Sequence, residues 1–145
     1  MGRFNIWTDG SSYGNPGPSG YGFQIDYNKV TVRIGFGPLG ESTNNVAEFT
    51  AALRALEHSL EISEHDLKLE PKKQDVLIKT DSQLLVNQYN GKYKSKNKNL
   101  SNILREIVGL SGKFKSVKMK YISRDLNTTA DYLANQGSLV SQQNA

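Results

Sequence analysis

The chain contains no cysteine among its 145 residues. That absence excludes disulfides, thiolate nucleophiles and zinc–sulfur sites together. Long apolar runs are missing too: nothing approaches the ~18–20 residues needed to span a bilayer. Met1–Asp9 reads as a strand, which leaves no room for a signal peptide there, and a cytoplasmic protein is the expectation. Histidine is scarce. His58 falls at the far end of a helical stretch and His65 in a charged loop, so solvated surface roles are expected for both. What remains is ordinary for a globular protein: 37% hydrophobic and 22% charged residues, with a net charge of +4. The length suits one domain, expected over residues 1–140, with 141–145 as a short, frayed polar tail. No oligomer signal or obligate protein partner is evident, and a monomer is expected.

Hydrophobic periodicity orders the chain. Arg3–Thr8 alternates as a half-buried strand and stops at Asp9-Gly10. Gly10, Gly14, Pro16, Gly17, Pro18 and Gly20 then predict a loop. Tyr21–Tyr27 and Lys29–Phe36 read as strands joined by a tight turn. From Asn45 the period becomes helical, with Val46, Phe49, Leu53, Leu56 and Leu60 in one stripe and Asn44 or Asn45 as cap. Ser63–Gln74 has no period and reads as a surface loop. Val76-Leu77-Ile78 is a covered strand ending at Thr80-Asp81. Helices are expected at Ser82–Tyr89 and Asn99–Leu110, a last strand at Lys115–Ile122, and a last helix at Thr128–Leu139 capped by Asn127. This order predicts an α/β fold: three antiparallel strands, then helix-linked strands, in a mixed sheet flanked by helices.

Two strand ends echo each other, Trp7-Thr8-Asp9-Gly10-Ser11 and Lys79-Thr80-Asp81-Ser82-Gln83. If the strands are parallel neighbours, both carboxylates leave one sheet edge ~4.8 Å apart, where open α/β sheets bind ligands. Glu48 lies one turn into the first helix, ~120° from the apolar stripe's centre. Its flank neighbours Ala52 and Ala55 are small enough to let the helix approach the sheet. Asp131 occupies the first turn of the last helix, favoured there by the helix dipole. Each acid alone also suits a turn, a cap or a helix start; their force lies in converging. Carboxylates so crowded cannot all stay ionised without a cation. Magnesium accepts few protein carboxylates and recruits phosphate oxygens, and ion pairs ~3.5–4 Å apart serve in-line phosphodiester hydrolysis.

At these residues the chain resembles the type 1 ribonuclease H family. The matching segments are Thr8-Asp9-Gly10-Ser11-Ser12 with Gly14-Asn15-Pro16-Gly17 and Gly20; Thr43-Asn44-Asn45-Val46-Ala47-Glu48; Thr80-Asp81-Ser82-Gln83; and Ser123-Arg124-Asp125-Leu126-Asn127 running into Ala130-Asp131-Tyr132-Leu133-Ala134-Asn135. They occur in the family's order across nearly the whole chain. The resemblance implies a ribonuclease H-like five-stranded mixed sheet and two Mg2+ ions, with Mn2+ as a substitute. It implies endonucleolytic cleavage of the RNA strand of RNA–DNA hybrids, leaving 5′-phosphate and 3′-hydroxyl ends. It carries catalytic and metal-binding duty onto Asp9, Glu48, Asp81 and Asp131, and places Gly10 in the metal site. Many bacterial members hold a histidine in the loop before the last Asp. This chain has Arg124 there and no histidine, as in the archaeal-style branch.

Substrate contacts follow from the same picture. Telling RNA from DNA requires reading the 2′-hydroxyl, which donates and accepts hydrogen bonds, as Asn and Gln do. Asn15, Asn44, Asn45 and Gln83, with Ser11 and Arg124, flank the carboxylates and match family substrate positions. Lys92, Lys94, Lys96 and Lys98, interleaved with Tyr93, suit a solubilising loop, or phosphate neutralisation beside a phosphodiesterase site. With the four acids committed to metal, 18 basic side chains face the 10 acidic ones left of 14, a net +8 surface. The Gly10–Gly20 loop lacks a Walker lysine pattern, which speaks against a nucleotide cradle.

Overall fold

The computed structural model describes residues 2–91 and 96–145. Five strands form one sheet: β1 (Arg3–Ser12), β2 (Gly17–Tyr27), β3 (Val30–Ser42), β4 (Asp75–Thr80) and β5 (Ser116–Tyr121). Their spatial order is β3-β2-β1-β4-β5. The first three form an antiparallel meander, while β4 joins β1 and β5 joins β4 in parallel. The helices are α1 (Asn44–Glu61), α2 (Gln83–Tyr89), α3 (Lys98–Ser111) and α4 (Thr128–Gln143). Among the described residues, no helix is long and apolar enough to cross a membrane.

One face of the sheet builds the core. Phe4, Ile6, Phe23, Ile25, Val76 and Ile78 are buried against Phe49, Leu53 and Leu56 of α1, with Leu85, Leu100 and Ile107 completing the cluster. Each such side chain contributes about 1.5–3 kcal/mol of burial. The α1 stripe is as its period predicts, widened by Ala47, Ala51, Ala52 and Ala55, all fully buried. The opposite face is covered at the carboxyl end of β1 by α4, whose seat is made of backbone. A Cβ placed on Gly22 would lie 2.4 Å from the Ala134 nitrogen. Polar stitches hold the helix down: Ser138 donates to the Ser11 carbonyl at 3.0 Å and Ser141 to the Ser19 carbonyl at 2.6 Å.

Several local expectations are corrected. The Gly10–Gly20 breakers do not make one long loop: β1 runs on to Ser12 and β2 begins at Gly17. Gly10 and Gly20 supply close approach to α1 and α4, while Gly14, at a φ of 109°, serves the turn between the strands. The tight turn falls at Asn28-Lys29 as expected, but β3 runs on past Phe36, spanning Val30–Ser42. The α1 cap is Thr43, whose hydroxyl accepts the Val46 N–H at 3.2 Å, not Asn44 or Asn45. Ile62–Asp66 forms a π-helical turn and Pro71–Lys73 a 3-10 turn inside the expected loop. Asn127 precedes α4, yet its side chain makes no capping bond. The expected tail is not frayed at its start, because α4 continues to Gln143 and Ser141 is buried. His58 is half-buried rather than solvated, packing 4.9 Å from the Phe23 ring and 2.9 Å from Arg33 Nη1. Burial first, then the Arg33 charge, lowers its pKa.

Candidate active site: carboxylates at one sheet edge

The strands β1 and β4 run parallel with Thr8 opposite Thr80 as their last pair. Asp9 and Asp81 are the next residues, so two strands deliver carboxylates to one edge. The chain turns sharply after Asp81: Thr80 Oγ1 accepts the Ser82 N–H at 3.0 Å, and Ser82 Oγ caps α2 through the Leu85 N–H at 3.2 Å. Glu48 arrives from α1. A Cβ on Gly10 would lie 2.3 Å from the Glu48 nitrogen, so only glycine permits α1 to pass this close to β1. The missing side chain on the strand lies against Ala47 and Glu48. The Gly10 N–H is donated to both Glu48 Oε1 and Asp9 Oδ1.

Ligand atoms of Asp9, Glu48 and Asp81 all lie within 4.8 Å of one another. Asp131, from the first turn of α4, stands just outside this trio. It touches the Asp9 carboxyl, and its Oδ1 lies 3.9 Å from Arg124 Nη2. Burial is the main cause that pushes Asp9 up from 3.8 to about 11, followed by its contact with Glu48 and the charges of Glu48 and Asp81. Glu48 rises from 4.5 to about 7, chiefly by burial, with the Asp9 contact pulling the other way. Without a cation, one carboxyl of the pair must keep its proton, since like charges this close disfavour joint ionisation.

That donor set fits a hard divalent ion. All the ligand atoms are carboxylate oxygens, they are already gathered, and the strain between them is of the kind that positive charge relieves. Asp9, Glu48 and Asp81 would hold such an ion, with Asp131 adjacent. Gly10, expected in the metal site, contributes its N–H to orienting the carboxylates.

The carboxylates line a cleft of about 450 Å³ together with Ser11, Asn44, Asn45, Gln83 and Arg124. Asn44, Asn45, Gln83 and Arg124 are exposed and free to face a ligand. Asn15 is not part of the lining; its Oδ1 accepts the Asn44 N–H at 3.1 Å and so braces the α1 terminus. Lys96 and Lys98 are exposed at the start of α3, outside the cleft lining, and Lys92 and Lys94 fall outside the described residues. The structure adds Asn135, whose Oδ1 accepts the Ser11 hydroxyl at 2.6 Å. Its sequence signals are its place at the end of the last family-like segment and one turn beyond Asp131 on the helix face that carries the acid.

A sheet in this order, with acids at the ends of its two central parallel strands and on two flanking helices, defines a ribonuclease H-like fold. A family model described as "Reverse transcriptase-like" matches residues 8–137. A bifunctional protein of Mycobacterium tuberculosis is 30% identical over 97% of this chain, which spans 36% of that relative's length. Ribonuclease HI of Halobacterium salinarum is 30% identical over 93% of the chain and 64% of its own length. Among solved structures, LC11-RNase H1 in complex with RNA/DNA hybrid superposes with a TM-score of 0.85 at 33% identity, covering 96% of this chain and 99% of that one. The N-terminal RNase H domain of the mycobacterial protein gives 0.88 at 27% identity, with 99% of both chains covered. The chain belongs to the type 1 ribonuclease H family.

Proposed function

We propose that this chain is an endoribonuclease that hydrolyses the RNA strand of RNA–DNA hybrids at its carboxylate cleft, with Mg2+ as the metal. The observation that carries this reading is the gathering of Asp9, Glu48 and Asp81 within 4.8 Å from three different elements, with Asp131 beside them. The match to a protein crystallised with RNA/DNA hybrid supports the choice of substrate. Two bound divalent ions would supply an activated water and offset charge on the phosphate oxygens. The chain's own groups do the rest. Asp9 and Glu48, fixed by the Gly10 N–H, set the ligand geometry. Asn44, Asn45 and Gln83 offer amides that can both give and take hydrogen bonds at a 2′-hydroxyl. Arg124, with its side chain 79% exposed beside Asp131, is placed to meet a phosphate. Water oxygen adds to phosphorus and the 3′-oxygen leaves with a proton, giving 5′-phosphate and 3′-hydroxyl ends.

The test is cleavage of end-labelled hybrid, duplex RNA and duplex DNA by the pure protein, with and without Mg2+. Cuts confined to the RNA of the hybrid and dependent on metal are expected. Hybrid binding without cutting would instead make the chain a non-catalytic binding module.

A further inference from the structure

We infer that Asn127 is a positioning residue for the carboxylate site, acting through the peptide unit that precedes Asp9; the inference rests on the function proposed above. Asn127 is among the most buried polar residues of the chain, at 1% exposure. It stands at the N-terminus of α4, where an asparagine side chain ordinarily accepts a helix N–H and stabilises the terminus. Here that bond is not made. The side chain turns to the sheet instead, and Nδ2 donates to the Thr8 carbonyl at 2.8 Å. Its Oδ1 has no partner among the described residues. A buried side chain that forgoes its cap and leaves one acceptor unmatched carries an energetic cost. What the arrangement secures is the orientation of one peptide plane.

That plane matters because of its neighbours. The Thr8 carbonyl is bonded directly to the Asp9 nitrogen, so its direction fixes how the Asp9 side chain leaves the strand. At its other end, the Asn127 carbonyl accepts the Asp131 N–H at 3.0 Å in the first turn of α4. One residue thus ties the strand that carries Asp9 to the helix that carries Asp131. The remaining α4 stitches fall farther along the helix, at Asn135, Ser138 and Ser141. Among the described residues, Asn127 is the one whose side chain ties the residue just before α4 to the sheet. Because the ligand atoms must match a cation's coordination shell, small rotations of Asp9 weaken binding out of proportion to any loss of fold.

The experiment compares Asn127→Ala and Asn127→Ser with Ser141→Ala. Serine keeps a polar side chain suited to a helix start, adds no charge, and is too short to reach the Thr8 carbonyl. Ser141 holds the Ser19 carbonyl and the Leu39 and Gly40 N–H groups, away from the carboxylates, so its variant destabilises α4 without touching the site. We expect both Asn127 variants to lose about 10- to 100-fold in kcat, with KM for hybrid changed less than about threefold. Calorimetric titration should show Mn2+ affinity weakened about 10-fold, whereas Ser141→Ala keeps both values despite a lower Tm. If alanine does not fold, the serine variant decides. Unchanged kcat and metal affinity in a folded Asn127 variant would overturn the inference, as would an equal loss in Ser141→Ala. If the parent binds metal but does not cut hybrid, the proposed function has failed while the titration still judges Asn127. If the parent does not bind metal, both fall.

Discussion

Replacing Asp9 with asparagine should stabilise the metal-free protein while abolishing its response to divalent ions. The buried Asp9 carboxyl has its pKa raised from 3.8 to about 11, first by burial and then by Glu48 and Asp81. In the unfolded chain the same group is ionised at pH 7. Keeping it protonated across 7 − 3.8 = 3.2 pH units costs the folded state about 4 kcal/mol, at ~1.36 kcal/mol per unit. Asparagine is isosteric, carries no charge, and its amide can donate to Glu48 where the carboxyl proton did. Most of that cost should therefore vanish, raising Tm by about 10 °C at ~2–4 °C per kcal/mol for a chain of this size. The sign with pH follows from the raised value. The contribution of Asp9 is fully favourable below 3.8 and is lost as pH climbs towards its folded pKa, with a slope of about 1.4 kcal/mol per unit through neutrality. The assay is urea unfolding in chelator from pH 5 to 8, repeated with Mg2+. The variant should lose both the slope and the metal-induced gain, which for the parent is about 2.7 kcal/mol at 100 times Kd. A metal-free variant no more stable than the parent at pH 7, or one that Mg2+ still protects, would refute the reasoning.

Three further outcomes are expected. Asp81→Asn should keep the fold and lower hybrid cleavage by roughly three orders of magnitude, because metal affinity and transition-state charge stabilisation fall together; near-normal turnover would remove Asp81 from the site. Gly22→Ala should cost about 1–3 kcal/mol and lower activity, because its Cβ would meet the α4 backbone 2.4 Å away and push the helix that carries Asp131; an unaltered Tm would show that α4 can move freely. Exchanging Lys92, Lys94, Lys96 and Lys98 for neutral residues should raise KM for hybrid and flatten its dependence on salt; an identical salt slope would return the segment to ordinary surface.

Much of this site could be read along the chain, because strands and helices announce themselves by local period. The Asp at the end of each of two apolar strands was enough to expect a shared edge, and the pairing of Thr8 with Thr80 supplies it. The α1 stripe was legible for the same reason, down to the small flank at Ala52 and Ala55. Gly10 was legible as a breaker but not in its use, and Gly22 as a strand residue only. Gly10 and Gly22 lie within strands and exist for the helices that cross them, a contact between segments far apart in sequence. Asn127 misled in the same way: its local position says cap, and a carbonyl 119 residues away claims its side chain. The partial burial of His58 is not legible locally, because Phe23 and Arg33, which pack on it, arrive from two strands, β2 and β3.

The sequence by itself determined the order of elements, since that depends on composition and short-range period, and its ordered motifs carried the resemblance that singled out the four acids. Tertiary structure alone decided that three of the acids share one space with the fourth beside them, that burial holds Asp9 protonated in the absence of a cation, and that α4 rests on bare backbone. Those properties arise from distances between segments remote along the chain, and electrostatics and packing respond to distance rather than to position in sequence.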